Sequence, residues 1–89
     1  MRIKDFFTLR QLSEDLYVVE SLNTTDSYNK IVTFNATAAF LWKVFKGKSF
    51  TLDDIANCIV KEYKIEVINA KRDASTLIEK WKEAGLIDQ

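Results

Sequence analysis

Apolar and polar positions follow two regimes along this chain. Up to residue 34 they alternate at short range. Phe7-Thr8-Leu9-Arg10-Gln11-Leu12 mixes the two types with period two, Leu16-Tyr17-Val18-Val19-Glu20-Ser21-Leu22 is β-branched and aromatic, and Tyr28-Asn29-Lys30-Ile31-Val32-Thr33-Phe34 resumes that chemistry. Such runs predict strands, because branched and aromatic side chains fit a pleated, half-buried surface. Ser13-Glu14-Asp15 and Asn23-Thr24-Thr25-Asp26 are polar turn clusters between them. Strands joined by short turns predict an antiparallel meander.

From Asn35 onward the spacing changes to three and four. Asn35 is placed to cap a helix from Ala36 to about Phe45, whose apolar residues run nearly all round it, as in a central buried helix. Thr51 and Asp54 have the spacing of a capping box, with Asp in the usual Glu position. Leu52, Ile55, Ala56, Ile59 and Tyr63 then mark one buried face. Asn69 is expected to cap a third helix reaching about Ala84, with Ala74, Leu77, Ile78 and Trp81 as its apolar stripe. Gly85 suits the left-handed position after a helix end, and Leu86 and Ile87 can fold back on the core. The expected class is α+β: a three-stranded antiparallel sheet followed by a three-helix bundle, in one domain spanning 1–89.

Composition narrows the function. With 47% hydrophobic residues the chain can build a core, so disorder is not expected. Thirteen basic and thirteen acidic residues cancel, which argues against a nucleic-acid partner, since phosphate neutralisation supplies most non-specific affinity. The single cysteine, Cys58, allows no internal disulfide and fits a reducing, cytoplasmic setting. No apolar run is long enough to span a membrane, and the charged start at Arg2, Lys4 and Asp5 does not read as a signal peptide. There is no His, no pair of thiols and no Gly-rich loop, so no catalytic, metal or cofactor site is expected. Cys58 reads as a small packing residue, and Trp42 and Trp81 read as core.

The segment Phe34-Asn35-Ala36-Thr37-Ala38-Ala39-Phe40-Leu41-Trp42 resembles the PqqD family pattern, in which an apolar-Asn pair leads into a helix with small residues and an aliphatic-Trp pair. Lys46 to Ala56 is similar to the family's turn and second helix, and Asp73, Leu77-Ile78 and Glu83 to Ile87 to its last helix and apolar ending. The resemblance covers roughly residues 7 to 88. It implies a winged-helix-like fold and a non-catalytic peptide recognition element. Such a domain binds the leader of a ribosomally made precursor peptide and presents it to a modifying enzyme, often a radical enzyme using S-adenosylmethionine. The leader would add as a strand beside the third predicted strand and lie against the third helix.

That mode makes Tyr28, Asn29, Lys30, Ile31, Val32 and Thr33 the candidate strand edge. Val32 and Phe34 share a face expected in the core, which leaves Asn29, Lys30 or Ile31 near the rim. On the helix, Lys71, Ser75, Ile78 and Lys82 form one stripe, and the two lysines could attract acidic leader residues. Without the resemblance, these lysines read as ordinary solvated charges. Two other functions stay open on the residues alone. A winged-helix DNA binder would use the third helix, although its basic residues Lys71, Arg72, Lys80 and Lys82 are nearly balanced by Asp73, Glu79 and Glu83. A protein-interaction module could instead pair the same open edge with a second copy as a homodimer.

Overall fold

The computed structural model describes residues 1–21 and 31–88. The elements in chain order are β1 (Arg2–Ile3), β2 (Phe7–Gln11), β3 (Tyr17–Ser21), β4 (Ile31–Phe34), α1 (Ala36–Phe45), α2 (Leu52–Tyr63), α3 (Val67–Glu83) and β5 (Ile87–Asp88). The three-stranded sheet is antiparallel, in the order β2-β3-β4, and three helices follow it. This is the expected α+β architecture. The turn cluster Asn23–Asp26 and the expected strand residues Tyr28, Asn29 and Lys30 lie outside the described residues.

The strand pattern works as its alternation predicts. Phe7, Val19 and Phe34 point into the core and are buried, while the outer face carries an Arg10–Glu20 ion pair at 3.0 Å. Phe34 stacks on Trp81 with centroids 5.8 Å apart, Trp42 meets both edge-on at 5.5 Å, and Phe50 meets Trp81 edge-on at 6.5 Å. These rings seal sheet to helices through their apolar area and their favourable tilted geometry. Trp42 and Trp81 are thus core residues, at 2% and 1% exposure.

Helix boundaries follow their caps. Asn35 accepts from the Ala38 N–H at 2.8 Å and starts α1. Thr51 and Asp54 form the reciprocal box: the Asp54 N–H donates to Thr51 Oγ1 at 3.2 Å, and the Thr51 N–H to Asp54 Oδ2 at 2.9 Å. Aspartate is therefore long enough to close it. α3 ends in a Schellman turn, with the Leu86 N–H donating to the Trp81 carbonyl at 2.9 Å and Gly85 at φ 74°. Leu86 is fully buried behind it.

Two features differ from expectation. α3 begins at Val67 with Glu66 as its cap residue, so Asn69 lies inside the first turn and caps nothing. Lys64, left-handed at φ 53°, closes α2 and turns the chain so abruptly that α3 must start almost at once to bring Ala70 into the core. Val67 and Ile68 are consequently exposed, at 52% and 67%. The second difference is a two-stranded sheet of β1 and β5. It pairs Ile3 with Ile87, and the N-terminal ammonium donates to the Phe50 carbonyl at 2.9 Å. Among the described residues, no helix is long and apolar enough to cross a membrane.

Candidate functional site

β4 is one outer strand of the three-stranded sheet, so among the described residues one of its sides has no strand neighbour. Its register fixes which groups face that side. The Leu12 N–H donates to the Leu16 carbonyl at 2.8 Å, closing the β2–β3 hairpin. In an antiparallel ladder, residues alternate between bonding one neighbour and the other. Leu16, Val18 and Glu20 therefore bond β2, while Tyr17 and Val19 bond their β4 partners Phe34 and Val32. The backbone N–H and C=O of Ile31 and Thr33 are left facing the open edge. Thr33 is also exposed at its side chain, and Val32 is half-buried against the core.

α3 stands beside this edge. Two clefts line its near side. One, of about 130 Å³, is lined by Val32, Thr33, Phe34, Leu77, Lys80 and Trp81, with Asn35 and Ala38 at its end. The other, of about 340 Å³, lies past the end of β4 and is bounded by the start of α1, by Ile59 of α2 and by Arg72, Asp73, Thr76, Leu77 and Lys80 of α3. Asn35, Ala38, Leu77 and Lys80 line both clefts, so the two form one continuous groove.

The helix presents a different face to this groove from the stripe read off the sequence. Ala70, Ala74, Ile78 and Trp81 are buried and set the phase of α3. At about 100° per residue, Lys71, Ser75 and Lys82 fall to one side of that core stripe. Asp73, Thr76, Leu77 and Lys80 fall to the other, which is the groove side. Ile78 is a core residue at 4% exposure, and Lys71 and Lys82 are solvent-exposed away from the groove. The structure thus brings Val32 and Thr33 together with Leu77, Lys80 and Trp81, and not with Lys71, Ser75, Ile78 or Lys82. The available signal was the phase relative to Ala70 and Ala74. A stripe at three-and-four spacing can be drawn along either flank of a helix, and spacing alone does not choose between them.

Among the described residues only two titratable groups are shifted, and neither points to a reactive site. Burial pushes the Cys58 thiol above its ordinary pKa, Glu62 adds to the rise and Lys61 opposes it. Such a thiol is a poor nucleophile near neutral pH. It packs against the core from α2. Burial lowers the pKa of the Lys46 ammonium, and Asp5 partly opposes this. Lys46 Nζ donates to the carbonyls of Lys4 at 2.9 Å and Phe7 at 2.7 Å and sits 5.1 Å from the Trp42 ring centre. That lysine is a structural tie. The Trp81 indole N–H, buried beneath the groove, has no acceptor among the described residues.

Comparison with known proteins agrees with this architecture. The model of the family described as coenzyme PQQ synthesis protein D (PqqD) matches residues 16–87. The solved structure described as TbiB1 in complex with the TbiA(beta) leader peptide superposes with a TM-score of 0.73 at 18% identity, covering 99% of this chain and 95% of that one. At that identity the likeness speaks for the fold. No curated protein matches the chain.

Proposed function

The chain belongs to the PqqD family, and from that premise we propose that it binds a precursor leader peptide by strand addition to β4 and presents it to a separate modifying enzyme. One observation carries this reading: the outward-facing backbone groups of Ile31 and Thr33 run beside a groove floored by Leu77 and Trp81. An added strand needs both parts, since backbone bonds hold the peptide and pockets select its alternate side chains. The solved relative was captured with a leader peptide, which supports the same class of ligand here.

Magnitudes say how the work divides. Ile31 and Thr33 offer up to four backbone bonds, at about 0.5–1.5 kcal/mol each. Ordering a flexible peptide costs about 2–5 kcal/mol, and micromolar affinity needs about 8 kcal/mol net. Side chains seated in the groove must therefore supply most of the affinity. The chain itself is proposed to be non-catalytic. The chemistry would belong to its partner, for which a radical enzyme using S-adenosylmethionine is the leading class.

The test uses peptides selected from a displayed library of random dodecapeptides, ranked by their protection of the Thr33 amide from hydrogen exchange. Methylating the backbone nitrogens of a selected peptide one at a time should weaken binding clearly at every second position. Loss at every position, or at none, would rule out strand addition.

A further inference from the structure

Resting on that strand-addition reading, we propose that the larger cleft is a second subsite, which takes an acid-tipped side chain from the peptide segment N-terminal to the added strand. This cleft lies beyond the C-terminal end of β4, where β4 hands over to α1. The described sheet is antiparallel throughout, and antiparallel pairing is both commoner and slightly more stable per residue than parallel. A peptide added in that sense runs opposite to β4. Its N-terminal flank then passes Asn35 and enters the cleft.

The chemistry of the cleft selects what enters it. Its floor is apolar: Leu41 and Ile59 are buried, at 0% and 3% exposure. Its rim carries two exposed cations, Arg72 and Lys80, against one anion, Asp73. Among the described residues none of the three is in an ion pair. Apolar floor and net positive rim match a glutamate, whose methylenes can cover Leu41 and Ile59 while its carboxylate reaches the rim. A lysine-tipped side chain would suit the floor equally and be repelled at the rim.

The experiment uses the full chain and the library-selected dodecapeptides that protect the Thr33 amide. Their aligned sequences should place an acidic residue on the N-terminal side of the strand-forming core. In fluorescence anisotropy, replacing that residue by its amide should weaken binding several-fold, within the usual range of exposed ion pairs. The R72E variant, at a residue that lines only the larger cleft, should weaken the acidic peptide several-fold and leave the amide peptide nearly unchanged. D73N should strengthen the acidic peptide, a sign that damage to the fold would not produce. All three charge effects should shrink in 0.5 M salt, where screening is short-ranged. Peptides that protect Thr33 yet carry no acidic residue, or carry it on the C-terminal side, would overturn this inference and leave strand addition standing. If no peptide protects Thr33, strand addition fails and the subsite fails with it.

Discussion

The two edges of the β2-β3-β4 sheet have similar strand chemistry and opposite surroundings. At β2 the backbone groups of Phe7, Leu9 and Gln11 face outward by the same alternation that turns Thr33 outward on β4. Yet the Phe7 carbonyl is already taken by Lys46 Nζ at 2.7 Å, and β2 ends in an exposed Arg10 and Gln11. Blunting an edge with lysine is a common way to keep strands from pairing there. At β4 no such cation meets the outward groups among the described residues, and a groove runs alongside. The strands' own residues are alike at the two edges, and what differs is the element standing next to each.

That contrast can be broken from either side. The largest effect belongs to the floor of the β4 groove. Trp81→Ala should cost about 3–5 kcal/mol of stability in denaturant unfolding, because it empties the centre of the aromatic cluster. Trp81→Phe should cost much less, since it keeps most of the ring contacts and removes a buried donor without an acceptor. Next comes the tie at the other edge. Lys46→Met should cost about 2–4 kcal/mol, as two charge-assisted bonds are lost and two carbonyls are freed. If it costs nothing, the β2 edge is not held by this lysine.

The direct comparison is a pair of proline substitutions. Thr33→Pro removes an outward N–H from β4 without breaking its ladder to β3, and should weaken selected peptides about fivefold or more. Gln11→Pro does the same on β2 and should leave affinity unchanged in the same anisotropy assay. Equal losses would erase the distinction between the edges. The smallest effect is remote from both. Lys64→Gly relieves a left-handed residue at the α2–α3 corner and should stabilise by about 0.5–1 kcal/mol, with no change in peptide binding.

Most of the fold is legible in the sequence because its signals are local. Asn35 and the Thr51–Asp54 box set helix starts through bonds spanning three residues, and Gly85 marks a helix end. The start of α3 is not legible in this way. Glu66 makes no side-chain cap, and the left-handed Lys64 carries none of the composition that usually announces such a turn. β1 and β5 are too short to show any period, and their partner lies at the opposite end of the chain. The site divides along the same line. That the strand ending at Phe34 forms an open edge follows from the order of the elements. Which flank of α3 faces it depends on how the helix rotates to bury Ala70 and Ala74, and the lysines at 71 and 82 drew attention to the other flank.

The pairing of Arg2 with Asp88 also bears on how the chain folds. Closing a loop that spans nearly the whole molecule costs about 4 kcal/mol of chain entropy, against very little for the tight corner between α2 and α3. Few bonds form in return at that moment. β1 and β5 should therefore join after the helices have docked, when Ile3 and Ile87 complete the core. Their amides would exchange through a partial opening that leaves the cleft between β4 and α3 intact.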